Sequence, residues 1–267
     1  MPQLPHFARP PLDEVVLGLQ FEPAQGYSNV HLGEIWQRFR DEYPIVQEAP
    51  RLEPQFELFG GSSTPGFHFN ILPPPLRGRT WFVSLDETHL VQFQEDRVLL
   101  NWRKRPNVPS PQAEYPRFEA IREKFSQASD RIRVFHQNVL LSPFRVTQAE
   151  VSYINMMHVE SFSEISNILK HLRIEDFDVE GLSCNFTEVL RDNGGKPFAR
   201  TYCEVQTMVA GETGQKALRL SLTVRGKPLT SELEDALSFI DSARLQIVNK
   251  FCELTSKAAH QTWGRIE

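Results

Sequence analysis

The stretch TWFVSLDETHLVQFQEDRVLLNWR, running from Thr80 to Arg103, decides the fold. Thr80–Leu85, Leu90–Gln94 and Val98–Arg103 are rich in aromatic, β-branched and aliphatic residues, as strands are. Only Asp86–His89 and Glu95–Arg97 separate them. Links that short join antiparallel neighbours, because a parallel crossover needs a dozen or more residues. The stretch therefore predicts an antiparallel meander.

Upstream, Glu14–Phe21 (EVVLGLQF) alternates Val15, Leu17 and Leu19 against Val16, Gly18 and Gln20, which predicts a first strand. A helix is expected over His31–Tyr43, where Leu32, Ile35, Trp36, Phe39 and Tyr43 form one apolar stripe. Phe56–Phe59 and Phe67–Leu72 are two further strand candidates, divided by a Gly60-Gly61-Ser62-Ser63 loop. Pro73-Pro74-Pro75 must then interrupt the sheet or lie at its edge. Downstream, Phe118, Ile121, Phe125, Ala128, Ile132, Phe135 and Val139 recur every three or four residues and predict a long helix, with Pro116 as its first residue.

The same order then returns. Gln148–Met157 predicts a strand, and Ser161-Phe162-Ser163-Glu164 has capping-box spacing ahead of a short helix through Ile165, Ile168, Leu169 and Leu172. Strands are expected over Gly181–Arg191, Phe198–Val209 and Leu218–Arg225, with turns at Asn193-Gly194-Gly195 and around Gly211 and Gly214. A second capping box at Ser231–Glu234 precedes Leu237, Ile240, Ala243, Ile247, Phe251 and Leu254, a second long helix. The tail Ala258–Glu267 is expected to fold back through Trp263. These signals predict an α+β protein, an internally duplicated β-α-(β-meander)-α unit with antiparallel sheets each packed on a long helix. The repeats divide at residues 1–142 and 143–267. The rival reading is two unrelated segments of similar pattern.

Composition restricts the function classes. A net charge of −5 lacks the basic excess of a dedicated nucleic-acid coat. No apolar run reaches the roughly 20 residues needed to span a bilayer. Met1–His6 has neither the basic nor the apolar segment of a signal peptide, and the odd, widely spaced Cys184, Cys203 and Cys252 are no disulfide framework. The expected address is cytoplasmic.

Pro10-Pro11-Leu12-Asp13-Glu14-Val15-Val16-Leu17-Gly18-Leu19-Gln20-Phe21-Glu22-Pro23 resembles the opening motif of a sporadically distributed prokaryotic protein family. The resemblance continues at Leu100-Asn101-Trp102-Arg103-Lys104 with Tyr115-Pro116-Arg117-Phe118-Glu119, at Tyr153-Ile154-Asn155 and at His260-Gln261-Thr262-Trp263-Gly264, nearly the whole chain. It implies the patchy distribution of mobile, defence-linked or toxin–antitoxin genes. It brings no activity and no catalytic residue to carry over.

Asn101-Trp102-Arg103-Lys104-Arg105 is the leading candidate site: an aromatic, an amide and three cations at a strand end suit a phosphate, a carboxylate or a nucleic-acid strand. Tyr115 and Arg117 are placed to complete it. In the plainer alternative Trp102 is core and the cations solvate the end of an edge strand. The histidines pair with no Cys, Asp or Glu at metal-ligand spacing, so no metal and no cofactor are expected. His158-Val159-Glu160 lacks the downstream cysteine pair of a zinc deaminase. No Gly-x-Ser-x-Gly elbow appears, and neither Gly60–Ser63 nor Asn193–Lys196 has phosphate-loop spacing. The cysteines fall in apolar patterns that suit buried thiols. Met156-Met157, Phe162 and Phe56–Phe69 suit either core or the lining of a ligand cavity. The expected function is a non-catalytic protein that recognises a protein partner, or its own copy, through sheet edges or grooves. The alternatives are a small-ligand sensor with a cavity between sheet and helix, and a nucleic-acid binder using paired sheets.

Overall fold

A computed structural model describes residues 4–59, 78–105, 114–174, 176–211 and 213–266. In chain order its elements are β1 (His6–Phe7), β2 (Leu12–Phe21), α1 (Leu32–Gln37), β3 (Ile45–Ala49), β4 (Arg79–Val83), β5 (His89–Gln94), β6 (Arg97–Arg103) and α2 (Phe118–Asn138). They continue with β7 (Val146–Val159), α3 (Ile165–Ile168), β8 (Ser183–Arg191), β9 (Pro197–Val209), β10 (Lys216–Gly226), α4 (Leu233–Leu254), α5 (Lys257–Thr262) and β11 (Arg265–Ile266). The protein is a mixed α+β structure. One nine-stranded sheet runs β3-β4-β5-β6-β2-β7-β10-β9-β8, and β1 pairs with β11 in a separate two-stranded sheet. Each pairing is antiparallel.

Alternation along the strands separates two chemically different faces. Val15, Leu17 and Leu19 of β2 stand opposite Trp102, Leu100 and Val98 of β6, and Leu17 is next to Val151 of β7. All are buried. The long helices lie over this face: α2 meets β6 and β2, and α4 meets β7 and β10. Ring contacts show the fit. Phe21 meets His136 of α2 at 5.1 Å between ring centroids, and Phe39 stacks on Phe82 of β4 at 5.6 Å. Ile121, Phe125, Ile132 and Phe135 of α2 are fully buried, so the three-to-four spacing is a core stripe. Burial of each such side chain stabilises by about 1.5–3 kcal/mol.

The opposite face is polar. Gln92 donates to Asn101 at 2.6 Å, and Asn101 donates to Glu14 at 2.6 Å. Arg97 is bonded to Gln20 and to the Glu53 carbonyl, and Arg225 donates to Glu150 at 2.7 Å. Residues 51–59 cross this face as a strap. Leu52 N–H donates to Gln94 at 2.9 Å, Gln55 N–H to Gln20 at 3.0 Å, and Glu57 accepts from Arg200 and from Tyr202. Phe56–Phe59 is therefore not a strand. Its backbone and side chains bond to sheet side chains instead of extending a ladder. Phe67–Leu72, the Gly60–Ser63 loop and Pro73–Pro75 lie outside the described residues.

Several boundaries differ from expectation. The helix expected over His31–Tyr43 is only α1, after a 3-10 turn at Asn29–His31 and before hydrogen-bonded turns to Tyr43. Pro116 is not the first residue of α2: Arg117 takes φ +74°, which breaks helical continuity, and α2 starts at Phe118. The box at Ser161 forms, with Ser161 N–H donating to Glu164 at 3.2 Å. The second does not, because α4 starts at Leu233 after Glu232, whose N–H donates to Thr230 at 3.2 Å. Trp263 does turn the tail back, its ring meeting Phe251 at 5.2 Å and Phe7 at 6.2 Å. Cys203 is buried, but Cys184 is exposed because β8 lies at the sheet edge.

Candidate functional site

The residues expected to form one site are divided among four environments. β6 lies between β5 and β2, so the basic segment does not cap an edge strand. Trp102 belongs to the core, 5.3 Å from the Tyr115 ring. Asn101 is buried on the polar face between Gln92 and Glu14, and burial pushes the Glu14 carboxyl above its ordinary range while the Asn101 hydrogen bond opposes it. Arg103 faces the same way, with its guanidinium 5.7 Å from the Trp81 ring. Lys104 is exposed, and Arg105 pairs with Glu87 at 3.3 Å. Tyr115 and Arg117 sit on the helix side and line a cavity with Tyr153 and Arg244. The two tyrosine hydroxyls are 3.3 Å apart, and Arg117 donates to the Phe7 carbonyl at 3.1 Å.

A different site stands at the sheet edge. β8 is nine residues long, and among the described residues no strand pairs with its outer side. Thr207 N–H donates to the Leu182 carbonyl at 2.9 Å, which fixes the phase of the ladder. Bonded and non-bonded pairs alternate in an antiparallel ladder. Cys184, Phe186 and Glu188 therefore bond to β9, while Ser183, Asn185, Thr187 and Val189 turn their N–H and C=O groups to the open side. Natural edges carry lysine, proline or short strands against chance pairing. β8 has no lysine and no proline, and Phe186 and Val189 are 43% and 39% exposed. Beside it runs a groove of about 220 Å³ between Leu169 and Leu172, Cys184 and Phe186 of β8, Val205 of β9 and Leu254 of α4.

The far edge shows what such a strand accepts. There β4 carries β3, with Val46 opposite Phe82 and Glu48 opposite Thr80. β3 follows the short helix α1, whereas residues 169–182 after α3 form no strand among those described. Neither the open edge nor the groove was visible in the sequence, because periodicity locates a strand and not its place in the sheet.

Among the described residues no group of three His, Cys, Asp or Glu side chains is placed to hold a metal ion, and no helix is long and apolar enough to cross a membrane. Comparison with protein-family models, curated proteins and solved structures finds no match.

Proposed function

We propose that this chain is a non-catalytic interaction protein that takes an extended segment of a protein partner as an added strand on β8. The single observation that carries this reading is that no strand among the described residues pairs with the outer side of β8, where β4 carries β3. The reading extends to an internal duplication. β2 pairs with the last strand of its own meander, β6, and β7 pairs likewise with β10. β2 and β7 meet antiparallel at the centre, which suits a pseudo-twofold axis. Under that symmetry β8 corresponds to β4, and the partner's segment fills the place of β3, antiparallel to its neighbour. Main-chain hydrogen bonds from Ser183, Asn185, Thr187 and Val189 supply affinity, and an apolar side chain entering the groove at Phe186 supplies selectivity.

The test is photo-crosslinking in cells of the native host, with p-benzoylphenylalanine at Asn185 and, as control, at Gln47 on the opposite edge. A crosslinked polypeptide obtained from position 185, absent from position 47 and lost when Thr187→Pro is added, is expected. Proline at 187 removes an outward N–H and leaves the β8–β9 bonds in place. Equal crosslinking from both edges, or a crosslink indifferent to Thr187→Pro, overturns the reading. A crosslink only to a second copy, with a dimer mass for the purified protein, replaces the foreign partner by self-association.

A further inference from the structure

A cavity of about 180 Å³ lies between the N-terminal segment, the start of α2, the middle of α4 and β7. That is close to the roughly 150 Å³ of an apolar cavity that takes up benzene. Its apolar wall comes from Leu12, Phe118, Ile247 and Phe251. One end is polar: the paired Tyr115 and Tyr153 hydroxyls, Arg117 and Arg244. Arg244 Nε is buried without a hydrogen-bond partner, while its Nη1 reaches Glu119 at 3.2 Å. Arg117 has φ +74° and ψ 156°, a combination that side chains other than glycine's disfavour by about 1–3 kcal/mol and that concentrates at binding sites.

The charge count narrows the ligand. Arg117 and Arg244 face one carboxylate, Glu119, whose side chain is 71% exposed. Among the described lining residues one positive charge is left over, in a cavity whose other polar side chains are His6, Asn155 and the two tyrosines. We propose that the cavity binds a small organic monocarboxylate, with its carboxylate on Arg244, Arg117 and one hydroxyl of the tyrosine pair and its apolar body against Phe118 and Phe251. Burial drives the pKa of both tyrosines upward, so both stay neutral across the physiological range, and the hydroxyl that accepts within the pair keeps its own O–H to donate. A neutral ligand of the same shape leaves a guanidinium N–H unpaired. This site is separate from the β8 edge and does not depend on it.

Benzoate, phenylacetate and their neutral counterparts benzamide and phenylacetamide are the probes, titrated calorimetrically into the whole protein. At least one acid is expected to bind with Kd at or below about 1 mM, and its amide about tenfold or more weaker, the discrimination of a charge-assisted hydrogen bond. Arg244→Gln is expected to weaken that acid by about tenfold or more. Val248→Phe, which fills the cavity from α4, removes binding while circular dichroism and the urea midpoint show a folded protein. Failure of both acids to bind at about 10 mM, an amide that binds as tightly as its acid, or a folded variant that binds the acid like the parent overturns the proposal.

Discussion

Glu57→Gln tests the strap over the polar face. The Glu57 side chain is 2% exposed and faces Arg200, Tyr202 Oη at 2.7 Å and Arg225 at 3.7 Å. Glutamine preserves the shape and an acceptor for Tyr202, so the substitution removes the charge and the acceptor that faces Arg200. Removing one partner of a buried ion pair costs about 3–5 kcal/mol when the other is stranded. Here neither arginine is fully stranded. Arg225 keeps Glu150 at 2.7 Å, and Arg200 keeps the Leu58 carbonyl at 2.7 Å and the Phe59 ring at 4.5 Å. Both are also slightly wet, at 14% and 17% exposed, which lowers the cost to about 2–3 kcal/mol. With a urea slope of about 2–3 kcal/mol/M the unfolding midpoint should fall by about 1 M. Hydrogen exchange should show the Leu52 and Gln55 amides losing protection first, since side-chain bonds alone hold them to the sheet. An unchanged midpoint together with unchanged protection over residues 51–59 would refute the reasoning.

Other consequences concern packing, pH and thiol access. A Cβ at Gly226 would lie 2.5 Å from the Phe198 carbonyl, so Gly226→Ala should destabilise by about 1–3 kcal/mol in urea denaturation, because backbone cannot step aside cheaply. His136 is packed against Phe21 and Phe144, and burial lowers its pKa from 6.5 to about 4. The unfolded chain therefore binds its proton first, so this stability is complete above pH 6.5 and declines as pH falls towards 4. His136→Phe should flatten the change in urea midpoint between neutral pH and pH 5. Iodoacetamide should alkylate exposed Cys184 well before Cys203, whose buried thiol is pushed up to about 11, as peptide mass mapping would show. Thr187→Pro should cost less than about 1 kcal/mol, because no described strand accepts the lost N–H, whereas Phe186→Pro should cost several times more.

Much of the fold was legible because the period of apolar residues is a local signal. The stripe from Phe118 to Phe135 and the alternation of Val15, Leu17 and Leu19 both reflect one buried face. β3 was missed because Ile45–Ala49 is too short and too exposed to alternate clearly. Phe56–Phe59 misled because its aromatic content resembles a strand, while its Glu57 side chain and Leu58 carbonyl are tied down by Arg200 and Tyr202 from distant positions. The basic run Arg103–Arg105 had the composition of a site, yet strand alternation and the pair with Glu87 separate its members. Tyr115 and Arg117 are legible only through their proximity in sequence to that run. Their partners Tyr153 and Arg244 come from β7 and α4, a juxtaposition that only tertiary packing creates.

The most direct test of the central claim is residue-resolved amide hydrogen exchange along β8. In the purified protein the amides of Ser183, Asn185, Thr187 and Val189 should exchange fast while those of Cys184, Phe186 and Glu188 are protected. The fast set should become protected when the crosslinked partner is added. Protection of both sets in the protein alone, or an outward set that stays fast with the partner bound, would contradict the account.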